Sequence, residues 1–121
     1  GQVDQETPYV IRPETVQLIV HVGKPRVSAA EAQIFELTLL RAGDQQPIAD
    51  VEAELTLTLP DGRQERYSMP PTGSDGRSAL SVDPLRPAPD NGSIIAYRIC
   101  LNIPASEPIC SADSYLIWNL Q

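Results

Sequence analysis

One stretch, Gly43–Gly62 (GDQQPIADVEAELTLTLPDG), constrains this chain more than any other. A polar turn opens it, a nearly unbroken two-residue alternation follows, and a Pro-Asp-Gly turn closes it. Val51, Ala53, Leu55, Leu57 and Leu59 fall on one side, and Glu52, Glu54, Thr56 and Thr58 on the other. Successive side chains of a strand point to opposite faces, so this is the pattern of a strand with one face on a core and one in water. It predicts a β-sheet scaffold and carries no chemistry of its own.

The same alternation recurs along the chain. Val16, Leu18, Val20 and Val22 alternate with Gln17, Ile19 and His21, a strand over about 15–23 that Gly23-Lys24-Pro25 ends. Ser28-Ala29-Ala30-Glu31 has the form of a helix capping box, and Gly43 could close a helix begun there. Against a helix, Phe35, Leu37 and Leu39 alternate with Glu36 and Thr38, and Ile34 to Leu40 would spread apolar groups around a helical wheel. A strand over about 32–41 is therefore expected, with room for one helical turn before it. Asp61-Gly62 is a hairpin signal leading into a polar strand near 63–69. Ser78, Leu80 and Val82 mark a short strand, and Ile95, Tyr97, Ile99, Leu101 and Ile103 a longer one over about 94–103. A last strand is expected near 113–120, with Leu116, Trp118 and Leu120 on one face, Tyr115 and Ile117 on the other, and either face inward. Pro-rich loops separate these segments, and twelve prolines in 121 residues suit many loops and few helices.

About seven strands with turn signals between them predict a two-layer antiparallel β-sandwich, with an open barrel as the alternative. Residues 1–13 read as a leader or linker, in which Tyr9, Val10 and Ile11 could lie along a sheet edge. Residues 14–121 read as a single domain, a size that suits one core. That core must be built mostly from Leu, Ile and Val, since the chain has one Phe, one Trp and four Tyr.

The formal charge of −7 argues against nucleic acid, whose phosphates call for clustered Lys and Arg, and against anionic lipid. Apolar runs are only a few residues long, too short to insert into a membrane. The chain opens on Gly1 rather than Met, as a mature or trimmed chain would, so the lack of a signal peptide says little about export.

The two cysteines, Cys100 and Cys110, are not a C-x-x-C pair, and with one histidine in the chain they cannot build an ordinary four-ligand zinc site. A disulfide is the expected state, with two reduced thiols as the alternative. It would close a loop of about eleven residues, worth roughly 3 kcal/mol in the chain-entropy picture, and would belong to an oxidising compartment. If the two face each other in an antiparallel pair, opposite residues sum to 210 and a tight loop at Pro104-Ala105-Ser106 joins the last two strands. Otherwise Cys110 lies in a longer loop folded back on the strand. By alternation Cys100 points away from the core, so the bond would staple an outer surface.

No catalytic, cofactor or metal set is expected. His21, the only histidine, alternates with core positions and should face solvent, away from any Ser-His-Asp triad. Glu52 and Glu54 share one strand face, whereas a glycosidase places its carboxylates across a cleft. Asp61, Asp75, Asp90 and Asp113 fall at loops or strand ends without a D-x-D-x-D-G run for calcium. Gly73-Ser74-Asp75-Gly76 lacks the lysine and helix of a phosphate loop. Arg63 and Arg66 alternate with acidic residues and form no basic patch. Tyr9, Tyr67 or Tyr115, if exposed, could anchor a partner.

Gly43–Gly62 resembles the G-x-P-(v)-x-x-V-x-V-x-L-x-x-P-D-G stretch of bacterial immunoglobulin-like domains. Thr72-Gly73-Ser74-Asp75-Gly76-Arg77-Ser78-Ala79-Leu80 is similar to their T-D-x-x-G-x-A turn before a strand, and Ile95–Leu101 to their Y-x-(v)-x-(v) strand. The resemblance covers about 43–103. The Pro-rich loop at 84–89 and the late cysteine pair depart from it. Modules of this kind occur in invasin-like adhesins and in macroglobulin-type and carboxypeptidase-associated domains. The resemblance implies an immunoglobulin-like sandwich that is not an enzyme and binds no cofactor. It further implies a spacer or an adhesion or recognition module of a larger bacterial surface or secreted protein. The implied location is extracellular or cell-surface, with the periplasm as the alternative. The implied partners are neighbouring domains of the parent protein, or a surface protein or glycan, with the module itself a monomer. A carbohydrate- or peptide-binding sandwich is the second expectation, and a small hydrolase using His21 the third.

Overall fold

The computed structural model describes residues 16–102 and 109–118. Eight strands follow in order: β1 (Val16–Val22), β2 (Arg26–Val27), β3 (Gln33–Arg41), β4 (Glu52–Thr58), β5 (Gln64–Met69), β6 (Arg77–Val82), β7 (Ile94–Asn102) and β8 (Cys110–Ile117). They make a three-stranded sheet, β1-β3-β6, and a five-stranded sheet, β2-β8-β7-β4-β5. Every pairing is antiparallel except β2 with β8. The fold is a β-sandwich without helix among the described residues. The leader read over 1–13, with Tyr9, and the loop read at 104–106 lie outside the described residues.

The contested segment forms β3, and the cap before it serves a turn. The Ser28 N–H donates to Glu31 Oε1 at 3.2 Å while the Ala30 N–H donates to Ser28 Oγ at 3.2 Å. This is capping-box geometry without a helix to cap, because Phe35, Leu37 and Leu39 gain more by facing a core. The last strand runs over Cys110–Ile117, earlier than the expected 113–120, because its register starts at Cys110 opposite Cys100. Tyr115 and Ile117 face inward, and Trp118 lies beyond the strand, exposed. The eighth strand, β2, is two residues long and too short to leave an alternation.

The core fills as the alternation requires. Phe35, Leu37 and Leu39 of β3 face Leu55 and Leu57 of β4 and Ile95, Tyr97 and Ile99 of β7, all buried. At its centre the Phe35 ring meets Tyr97 edge-on at 5.3 Å between centroids and Tyr115 at 5.9 Å. Phe35 belongs to one sheet and the two tyrosines to the other, so this cluster bridges the layers. Edge-to-face ring pairs add about 0.5–1.5 kcal/mol beyond their buried area. Burial, and then the nearby Tyr67, push the Tyr115 hydroxyl pKa up to about 12. A tyrosine whose ionisation is raised on folding favours the native state below its ordinary value near 10, and that contribution is lost as pH rises from about 10 to 12.

Buried polar groups tie down both ends of the sandwich. Thr72, 2% exposed, donates from Oγ1 to the Ile48 carbonyl at 2.7 Å and accepts the Val51 N–H at 3.1 Å. Gln33, 3% exposed, donates to the Lys24 carbonyl at 2.7 Å and accepts the Lys24 and Ile34 N–H groups, each at 3.0 Å. Gly76 adopts φ +74°, and a Cβ there would stand 2.5 Å from the Leu39 carbonyl oxygen. The turn before β6 therefore requires glycine on both counts.

The pairings fix the direction of travel. β1 and β6 run opposite to β3, and β2, β4 and β8 opposite to β5 and β7. The Ile48 N–H on the Leu39 carbonyl and the Thr72 N–H on the Val51 carbonyl set the start of β4 beside the end of β3, so β4 runs the same way as β1. The described chain enters at Val16 at one end and leaves at Trp118 at the opposite end. The nine-residue β7 sets the length between them at roughly 27 Å, at about 3.3 Å per residue.

If the aromatic bridge joins the sheets, Phe35→Ala lowers unfolding free energy by about 3–5 kcal/mol in urea titration, while Ile94→Ala, at a 62% exposed position, changes it by less than about 0.5 kcal/mol.

Candidate functional site

The outer face of the five-stranded sheet is a grid built by register. One row holds Ser68, Glu54, Cys100 and Cys110, and the next Arg66, Thr56, Arg98 and Ala112. The two sulfurs are bonded, at 2.10 Å, on this outer face. Their numbers sum to 210, as do those of every β7–β8 pair, so the facing arrangement is the one adopted. The Arg98 guanidinium donates to Cys110 Sγ at 3.6 Å. Glu52, Glu54, Ser68, Cys100 and Asn102 help line a depression of about 340 Å³ on this face. Both glutamates are exposed and project from the same face of one strand, Glu52 opposite Asn102 and Glu54 opposite Cys100, rather than from opposite walls of a cleft.

On the opposite sheet His21 is exposed and stands in register with Glu36. It lines an open depression of about 420 Å³ with Ile19, Thr38, Arg77 and Ala79. The serine at this depression, Ser78, donates its hydroxyl to the Pro70 carbonyl at 2.6 Å and so serves the fold. Glu36 is the acid at this depression, and the Ser78 hydroxyl is committed to the Pro70 carbonyl rather than to His21.

The four aspartates are dispersed. Asp61 accepts the Arg63 N–H at 2.9 Å in the β4–β5 turn, and Asp75 accepts the Arg77 N–H at 3.0 Å at the other end of the molecule. Asp90 lies in the loop before β7, and Asp113 on β8 beside Tyr97 in register. Among the described residues no group of three or more His, Cys, Asp or Glu could hold a metal ion. Tyr67 is half-buried and Tyr115 buried, so neither presents its ring as an anchor.

Besides Ile19 and Ile34 on the three-stranded sheet, exposed apolar groups gather on the five-stranded sheet. Ile94 and Leu116 are opposite each other on the outer face of the five-stranded sheet, and Trp118 follows two residues after Leu116. Ile94 is 62% and Trp118 45% exposed. Arg26 joins this face through its parallel register with Leu116. Arg26, Ser28, Glu31 and Trp118 line a depression of about 420 Å³ at the end where the described chain leaves. A hydrogen bond from the Ser28 N–H, and then the Lys24 ammonium, hold the Glu31 carboxyl below the usual carboxylate range. The pairing of β2 with β8 brings Arg26 beside Leu116, with Ile94 on the far side of it.

No protein-family model and no curated protein matches this chain. Among solved structures, the chain is similar to one described as a tetra-tandem repeat in the extending region of a large adhesion protein. The TM-score is 0.62 at 16% identity, over 84% of this chain and 24% of that one. The chain thus spans about a quarter of that structure's length. A conjugative transposon lipoprotein from Bacteroides eggerthii gives a TM-score of 0.48 at 12% identity, over 84% of this chain and 96% of that one. A lipoprotein from Bacteroides thetaiotaomicron gives 0.41 at 11% identity, over 98% and 87%. At these identities the first likeness is one of fold.

The disulfide bridges adjacent strands of one sheet and does not cross the core. Replacing Cys100 and Cys110 together by Ser should lower stability by about 2–4 kcal/mol while leaving the far-UV circular dichroism unchanged. Loss of the β signal would instead make the bond a requirement for folding.

Proposed function

We propose that this chain is an immunoglobulin-like module that serves as a spacer in a larger surface or secreted protein, holding other parts apart rather than performing chemistry. The observation that carries this reading is the opposed placement of Val16 and Trp118. A unit entered at one end and left at the other adds its whole length to a string of domains. A unit with both termini at one end would add little. Two features support the reading. The strand order, with β1, β3 and β6 on one sheet and β8, β7, β4 and β5 on the other, follows the immunoglobulin-type division of strands. The similar adhesion-protein structure comprises four tandem repeats, and this chain matches 24% of it, the share of one repeat.

A non-enzymatic role accords with the dispersed carboxylates and with Ser78 bonded to the backbone. An exported location accords with a disulfide on the solvent side of a sheet. The partners under this reading are the neighbouring domains of the parent protein. The depression beside Trp118 favours a second reading, a module that binds a sugar or peptide, since an exposed indole next to Arg26 offers a stacking face and hydrogen-bond donors.

Two copies joined in series should show, by small-angle X-ray scattering, a maximum dimension at least about 27 Å longer than one copy. A dimension unchanged from that of two copies lying side by side would overturn the spacer reading.

A further inference from the structure

Four strands stand at sheet edges: β1, β6, β2 and β5. Natural sandwiches protect such edges with charges, prolines, bulges or shortness, because an open edge invites another strand. β2 is only two residues long, β5 carries Glu65 and Arg66, and β6 begins at Arg77. β1, VQLIVHV, has none of these devices: no acidic residue, lysine, arginine or proline, and an uninterrupted register with β3 over all seven residues.

The direction of its backbone groups follows from one bond. The Gly23 N–H donates to the Ile34 carbonyl at 2.8 Å, one step beyond the Val22–Phe35 pair. Hydrogen-bonded pairs alternate along an antiparallel ladder. His21, Ile19 and Gln17 therefore turn their N–H and C=O groups toward β3. Val16, Leu18, Val20 and Val22 turn theirs away from the sheet, where no described strand pairs with them. The side chains of the same four residues pack against the core but are only half-buried, with β8 of the facing sheet close by and no strand hydrogen-bonded to their outer edge among the described residues.

The sequence of this edge is nearly symmetric about Ile19. Val16 reflects onto Val22, Gln17 onto His21 and Leu18 onto Val20. We infer that β1 is a self-association edge, pairing antiparallel with β1 of a second copy of this chain about a two-fold axis at Ile19. The outward backbone groups of Val16, Leu18, Val20 and Val22 then meet those of Val22, Val20, Leu18 and Val16, each finding a partner. The apolar rims become continuous, and the two three-stranded sheets fuse into one of six strands. Ile19, 43% exposed, packs against its own copy, and Gln17 faces His21 with no like charges opposed. The contact is isologous and closes at two copies. It departs from the monomer expected from the sequence, and it holds whether or not the domain acts as a spacer. An edge of this length buries less than the roughly 1,000 Å² of a stable interface, so association is weak and concentration-dependent.

Sedimentation equilibrium of the full chain tests this. The account expects the mass to rise toward twice the monomer value between about 10 µM and 1 mM. Ile19→Lys and Ile19→Glu each place a charge opposite its own copy and should hold the chain monomeric over that range. A 1:1 mixture of the two variants should recover the doubled mass, because opposite charges then meet on the axis. Unchanged circular dichroism confirms that the variants fold, as expected at a solvent-facing position. The inference is overturned if the unaltered chain stays monomeric to about 1 mM, the result expected if its own remaining residues cover β1 or the edge accepts only a foreign strand. It is equally overturned if dimerisation survives both substitutions, which would move the contact to another surface such as that of Trp118, or if the mixture stays monomeric.

Discussion

The chain has a single phenylalanine, and the two sheets meet on it. Phe35 is fully buried and touches Tyr97 edge-on from the facing sheet, with Tyr115 on the neighbouring strand completing the cluster. Elsewhere the core is aliphatic, and aliphatic side chains set spacing without setting direction. The aromatic cluster has preferred angles, so it fixes how one layer sits over the other. Antibody domains pack a tryptophan against a core-crossing disulfide; in this chain three rings fill the centre of the core. The disulfide is free to lie outside, joining neighbours in one sheet. Covalent restraint and core packing are thus separate in this domain.

From that packing follows the geometry of the ends. With the layers aligned, the alternating strand directions carry the chain from Val16 at one end to Trp118 at the other. Thr72 and Gln33 brace the two ends with buried, hydrogen-bonded polar groups. A spacer needs little else: a stiff middle, defined ends and a surface free of reactive clusters. The outer faces carry carboxylates and arginines in solvated rows. Two places break that pattern, the Trp118 corner and the β1 edge.

Much of the fold was legible in the sequence because strand alternation is a local signal. The inward rows of β4 and β7 can be read directly from Val51 to Leu59 and from Ile95 to Leu101. The sequence left two arrangements open for Cys100 and Cys110, a facing pair or a folded-back loop, and the pairing of β7 with β8 decides for the first. What escaped was whatever depends on the partner strand. β2 is too short to alternate, and it exists because β8 offers an edge. The start of β8 at Cys110 is set by pairing, not by its own polar residues CSADS. The inward face of Tyr115 and Ile117 was undecidable because both faces of that segment are apolar. The exposed corner of Arg26, Ile94 and Trp118 draws on three separate segments. No pattern within any one of them announces it.

The claim on which the functional account rests is that the described chain enters and leaves at opposite ends of the sandwich. Spin labels introduced as unnatural amino acids at Gln17 and Trp118, measured by pulsed electron resonance, test it without disturbing the native disulfide. The account predicts a single distance population near about 25 Å, the rise of some eight strand residues. A distance below about 10 Å, which is no more than three residues of strand, would place Gln17 and Trp118 at one end. It would contradict the topology and the spacer role together.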